Sequence, residues 1–85
     1  MKYRLLLKPT AYRQIKGLDP QVARRIVNAL LQLQEEPRPP GAARLRGTLS
    51  GYRIRVGNWR ILYTIDDEVR EVQVYRIRHR REAYR

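Results

Sequence analysis

The feature that most constrains this chain is one long helix that must be covered along one side. Asp19-Pro20 places a capping side chain before a proline at the first helical position, where the N–H would be unpaired anyway. Val22, Ile26, Ala29, Leu30 and Leu33 follow at i, i+4, i+7, i+8 and i+11, a single apolar stripe widened by Ala23, Val27 and Leu31. Pro37, Pro39, Pro40 and Gly41 cannot continue the helix, which therefore stops near Glu36. Such a stripe needs an apolar surface to pack on, and the rest of the chain supplies strands for it.

Those strands are legible from their alternation. Tyr52-Arg53-Ile54-Arg55-Val56 puts Tyr52, Ile54 and Val56 on one face and Arg53 and Arg55 on the other. Gly57-Asn58 is a turn signal, and Arg60 to Ile65 is a more fully buried strand. Asp66-Asp67-Glu68 makes an acidic turn, Val72 to Ile77 is the last strand, and a basic tail runs from Arg78 to Arg85. Near the start, Tyr3 to Leu7 is a short strand ended by Pro9. Thr10 caps a short helix through about Lys16, closed by Gly17. The expected fold is α+β: an N-terminal strand, two helices, then a three-stranded antiparallel meander in one sheet, with the helices on one face. With 85 residues, the chain is expected to be a single domain spanning 1–85.

Charge narrows the function. The formal net charge is +11 and the sequence pI about 11.1, in the range expected of nucleic-acid-binding domains, although a membrane surface would also attract it. Only Lys2, Lys8 and Lys16 are lysines, leaving sixteen arginines among the nineteen basic residues. Arginine presents a planar fork of donors suited to phosphate, and stacks on bases. There is no cysteine, hence no disulfide or thiolate metal site. No apolar run approaches the roughly 20 residues of a membrane helix. These features lead us to expect a cytoplasmic protein with no membrane association.

Acidic residues are absent from Pro37 to Ile65, where Arg38, Arg44, Arg46, Arg53, Arg55 and Arg60 lie. Arg53 and Arg55 would project from one strand face about 7 Å apart. Like charges on a rigid sheet repel, and an anionic partner relieves that repulsion. No metal or cofactor is expected, because His79 is the only histidine and no carboxylate pair has ligand spacing around it. Ser50 is the only serine, which leaves little for a Ser/His/Asp triad. RNA cleavage needs neither, since RNA carries its own nucleophile, the 2′-hydroxyl. A protein need only align that hydroxyl with phosphorus and stabilise the added negative charge.

Three segments in order carry a resemblance: Arg44-Leu45-Arg46-Gly47, then Tyr52 to Tyr63 (YRIRVGNWRILY), then His79-Arg80-Arg81-Glu82-Ala83-Tyr84. The upstream helix ending Leu33-x-x-x-Pro37 fits as well. Together they resemble the RelE/ParE toxin superfamily, over nearly the whole chain. The resemblance implies a toxin paired with an acidic antitoxin that blocks its surface, with operator DNA bound only through that complex. For RelE-type members it implies cleavage of messenger RNA in the ribosomal A site, with ribosomal RNA contacts, leaving a 2′,3′-cyclic phosphate and a 5′-hydroxyl.

By position, the resemblance implies a catalytic set of Arg53, Arg55, Arg60, Arg80 and Tyr84. Arg44, Arg46, Arg78 and Arg81 are expected to bind RNA phosphates. The family pattern has lysines where Arg53 and Arg55 stand, one proposed as general base; arginine stays protonated, so here it would stabilise charge. Histidine is the side chain best suited to proton transfer near neutral pH, which makes His79 a candidate acid or base, the alternative being a solvated RNA contact. Two other readings stand beside the nuclease. One is a ParE-like poison of DNA gyrase, a group that generally lacks the late arginine and terminal tyrosine. The other is a non-catalytic basic module, which explains the charge but not the ordered motifs.

Overall fold

The computed structural model describes residues 2–46 and 51–81. Strand β1 (Arg4–Leu7) leads into helix α1 (Pro9–Lys16) and helix α2 (Pro20–Glu35), followed by β2 (Ala43–Arg44), β3 (Tyr52–Val56), β4 (Trp59–Asp66) and β5 (Glu71–His79). The strands form one five-stranded sheet in the order β1-β5-β4-β3-β2. β1 runs parallel to β5, and all other pairings are antiparallel. The α+β layout and the meander are therefore as expected. The two-residue β2, paired with β3, was not legible, because two residues carry no periodicity.

Local chemistry sets the element ends. α1 begins one residue earlier than its expected cap: Pro9 occupies the first turn and Lys8 precedes it in extended conformation, so Thr10 lies inside the helix. Asp19 does cap α2, accepting from the Gln21 N–H at 3.4 Å. β5 continues to His79, so Arg78 and His79 belong to the sheet rather than to a tail. Where β1 ends, Lys8 N–H still donates to Val74 O, and further along β5 the Ile77 N–H donates to Gln14 Oε1 from α1 at 2.8 Å. A side chain thus replaces the absent strand partner on that edge.

The stripe on α2 packs as its spacing requires. Ile26, Leu30 and Leu33 are fully buried in one cluster with Ile61 and Tyr63 of β4, Val72, Val74 and Ile77 of β5, and Ala11 of α1. Tyr52, Ile54, Val56 and Trp59 pack against this cluster from the same sheet face. Both helices lie on that face, which leaves the other open. Tyr63 is anchored twice: its ring stacks on Tyr52 at 5.9 Å between centroids, and its hydroxyl donates to Pro37 O at 2.8 Å. Burial raises its phenolic pKa to about 12.

A second set of contacts ties the far end of the sheet together. Arg38 donates to both carboxylate oxygens of Asp67 at 3.3 and 2.8 Å, and its Nε donates to the Tyr52 hydroxyl. The Tyr3 hydroxyl donates to Asp67 as well, at 2.7 Å. The loop after α2, the β4–β5 turn and the start of β1 therefore meet on one carboxylate. Hydrogen bonds from Arg38, and then from Tyr3, hold the Asp67 pKa below the ordinary carboxylate range.

Two outcomes follow from this packing. Gly51 has φ +98, and a Cβ there would overlap the Tyr63 carbonyl oxygen. Gly51→Ala should destabilise by about 1–3 kcal/mol in urea unfolding, through strain at the entry to β3. Because Asp67 is more acidic folded than unfolded, its contribution is present above the unfolded pKa and fades as pH falls through the folded one. Asp67→Asn should therefore lower the thermal midpoint at neutral pH, and the difference from wild type should close in strongly acidic buffer.

Candidate functional site

Register assembles the basic residues on the open face of the sheet. Arg55 of β3 is opposite Arg60 of β4, and Arg60 is opposite Arg78 of β5, so three guanidinium side chains form a row across adjacent strands. One pleat along, Arg53 and Arg76 flank Leu62 in the same way. Residues directly opposite one another on adjacent strands lie only about 5 Å apart, so these like charges sit close together.

Leu62 explains how they are held. It lies on the open face, outside the helix-covered core, yet only 5% of its surface is exposed. Long arginine stems on either side cover an apolar floor while their charged ends reach water. Burial, followed by the charges of Arg55 and Arg60, draws the Arg53 pKa below its ordinary value. The part due to the neighbouring cations is the electrostatic cost of gathering like charges, and an anion on this face would reverse it.

Among the described residues, the acids that form ion pairs lie away from the row. Among the described residues the ion pairs are Lys2–Glu35, Arg4–Glu71 and Arg38–Asp67, all at the end of the molecule that holds the β4–β5 turn. Arg60 forms no ion pair with the Asp66-Asp67-Glu68 turn.

At the other end of the sheet, a cleft of about 260 Å³ is lined by Arg55, Gly57, Asn58, Trp59, Arg60 and Arg80. The two-residue β3–β4 turn, with Gly57 at φ +60 in its first central position, forms one wall. Arg80 is fastened to that turn, its N–H donating to Asn58 O at 2.7 Å. A short 3₁₀ turn at Arg80 and Arg81 begins there. An adjoining crevice is lined by Asn58, His79, Arg80 and Arg81.

His79 pairs in register with Trp59, so it lies on the helix-covered face and not among the arginines. Its ring meets the Trp59 ring edge-on at 4.8 Å, and its Nδ1 accepts from the Arg81 N–H at 3.2 Å. That bond leaves the proton of the neutral ring on Nε2, which is then a donor.

Of the expected site residues, the structure brings Arg55, Arg60 and Arg80 into one cleft, with Arg78 beside Arg60 and Arg53 one pleat away. Arg81 reaches only the adjoining crevice. Arg44 pairs with Tyr52 and so takes the other sheet face, and exposed Arg46 follows β2. Tyr84 lies outside the described residues, as does Gly47 of the first motif segment. The sequence reading missed Arg76, Leu62 and the lining roles of Asn58 and Trp59. The signal for Arg76 was its place in the last strand, but its facing needed the β4–β5 register, which a bulge between Leu62 and Tyr63 shifts. Among the described residues no group of three His, Asp or Glu side chains is placed to hold a metal ion, and no helix is long and apolar enough to cross a membrane.

Comparison with known proteins agrees with this architecture. Residues 5–84 match a family model described as the ParE toxin of the parDE type II toxin–antitoxin system. The chain is 34% identical over 86 residues to Toxin RelG of Mycobacterium tuberculosis, an alignment covering 100% of this chain and 99% of that protein. Among solved structures it resembles a chain of the RelBE2 toxin–antitoxin complex of Mycobacterium tuberculosis, with TM-score 0.84, 33% identity, and 94% and 100% of the two chains covered. It also resembles a chain of the intact E. coli RelBE toxin–antitoxin complex, with TM-score 0.75, 27% identity, and 88% and 93% covered. Fold, ordered motifs and near full-length similarity agree, and the chain belongs to the RelE/ParE superfamily of type II toxin–antitoxin toxins.

Proposed function

We propose that this toxin is a ribosome-dependent endoribonuclease that cuts messenger RNA in the A site without a metal ion. The observation that carries the reading is the convergence of Arg55, Arg60 and Arg80 on one cleft with no acidic partner among the described residues. A scissile phosphate placed there would meet three guanidinium groups from three different segments. In the reaction the 2′-hydroxyl gives its proton to solvent water and its oxygen bonds to phosphorus. The P–O5′ bond breaks, the 5′-oxygen takes up a proton, and a 2′,3′-cyclic phosphate and a 5′-hydroxyl remain.

Charge accumulates on the phosphoryl oxygens as the fifth bond forms. Guanidinium groups already held on a sheet stabilise that charge without reorganising, the largest contribution a site of this composition can make. Proton transfer falls to other groups, because arginine does not deprotonate. His79 shares a crevice with Arg80; in its imidazolium form, which gives up the bond from the Arg81 N–H, it would donate a proton to the leaving 5′-oxygen and return to the neutral ring. The ribosome supplies alignment of the substrate, which a small open face cannot impose alone.

Repression follows from the same surface. A cognate antitoxin with an acidic, partly disordered segment would fold across the arginine face and neutralise it, and operator DNA would be bound through that complex. The chain's similarity to toxins crystallised with their antitoxins supports such a partner.

Gyrase poisoning is the second reading, favoured by the match to a ParE family model. It leaves the cleft without a task. Primer extension on a defined mRNA in programmed ribosomes separates the two. Wild type should produce new stops at A-site codons, and Arg80→Ala should slow their appearance by about a hundredfold or more. A folded wild-type protein that leaves the mRNA intact while inhibiting supercoiling would establish the gyrase reading instead.

A further inference from the structure

The β3–β4 hairpin has a second side. Opposite the arginine cleft, a smaller crevice of about 110 Å³ is lined by Val22 and Arg25 of α2 and by Val56, Asn58 and Trp59. Asn58 and Trp59 also line the cleft, so the hairpin tip is a shared wall between the two. Arg25 reaches across to the turn. A Cβ built on Gly57 would lie 3.2 Å from its Nη2 and 3.6 Å from both Cζ and Nη1. The guanidinium thus rests against the turn, close enough that a side chain at Gly57 would press on it.

Arg25 forms no ion pair among the described residues, and its side chain is exposed. It is thus a cation beside the hairpin tip with no counter-charge among the described residues. Its surroundings combine apolar walls, an amide side chain and an indole. Apolar and aromatic surfaces take the face of a nucleobase, the Asn58 amide can bond its edge, and a guanidinium takes its phosphate.

We propose that this crevice is a subsite for the nucleotide adjacent to the scissile one, with Arg25 as its phosphate contact and Val22, Val56 and Trp59 as its base platform. The proposal rests on the nuclease reading for the identity of its ligand, single-stranded RNA. It makes the hairpin tip a divider over which the RNA backbone bends, one phosphate on the sheet side and the next nucleotide on the helix side. Preference for the flanking base would then arise at α2, away from the arginines that act on the phosphate.

The test uses an RNA that cannot be cut. Trp59 is the only tryptophan of the chain and lines both spaces, so its fluorescence reports their occupancy directly. A short oligoribonucleotide with 2′-O-methyl groups throughout is titrated into the purified protein at several salt concentrations. Wild type should show saturable quenching. Arg25→Ala and the longer neutral variant Arg25→Gln should each weaken binding by about tenfold, and flatten the log–log salt slope by about one. Lys2→Ala, which removes an equal charge paired with Glu35 at the far end, should leave both unchanged.

Exchanging the flanking base should alter wild-type affinity and matter less in Val22→Ala. Wild type without quenching, or Arg25 variants that bind with unchanged affinity and slope, would overturn the subsite. Because the probe cannot be cleaved, the result does not depend on catalysis. A protein that passes this test but leaves ribosome-bound mRNA intact would refute the nuclease reading alone.

Discussion

Burial of the α2 stripe against β4 and β5 decides which face of the sheet is closed, and the rest of the molecule follows from that choice. Ile26, Leu30 and Leu33 need Ile61, Tyr63 and Ile77 beneath them. Strand alternation then sends Arg53, Arg55 and Arg60 to the opposite face, and the register shift at Leu62/Tyr63 brings Arg76 and Arg78 there as well. A one-residue slip would bury guanidinium groups and expose the core, so the same packing fixes both the register and the face on which the arginines stand. Leu62 completes the arrangement, an apolar floor for arginine stems on the side that faces water.

Charge is separated along the molecule as well as across the sheet. The Arg38–Asp67 clamp, Lys2–Glu35 and Arg4–Glu71 consume acidic groups at the end with the β4–β5 turn. The end with the β3–β4 hairpin keeps Arg25, Arg55, Arg60, Arg80 and Arg81 without ion pairs among the described residues. A polyanion approaching such a molecule is drawn to one end and turned away from the other, which orients it before any specific contact forms.

Much of this was legible in the chain. Periodicity located α2, β3 and the buried middle of β4, because each has enough residues for its period to show. The shared face of Arg53 and Arg55 followed from alternation alone. What depended on pairing was not legible: β2 has two residues, Arg76 gains its place through the β4–β5 register, and His79 takes the face opposite the arginines because it pairs with Trp59. Arg25 was hidden for a different reason. On the helix it is one of many exposed basic residues, and only the glycine of a distant turn shows where its side chain rests.

The central claim is that the cleft cuts RNA by using RNA's own 2′-hydroxyl. The most direct measurement replaces that one group. An mRNA carrying a single 2′-deoxynucleotide at the cut position is placed in the A site of programmed ribosomes, with unmodified message alongside. The account predicts that cutting at the modified position disappears while the unmodified message is still cleaved there, leaving a cyclic phosphate on one fragment and a 5′-hydroxyl on the other. Cleavage that persists at the deoxy position would contradict it, because the nucleophile would then have to come from water or the protein.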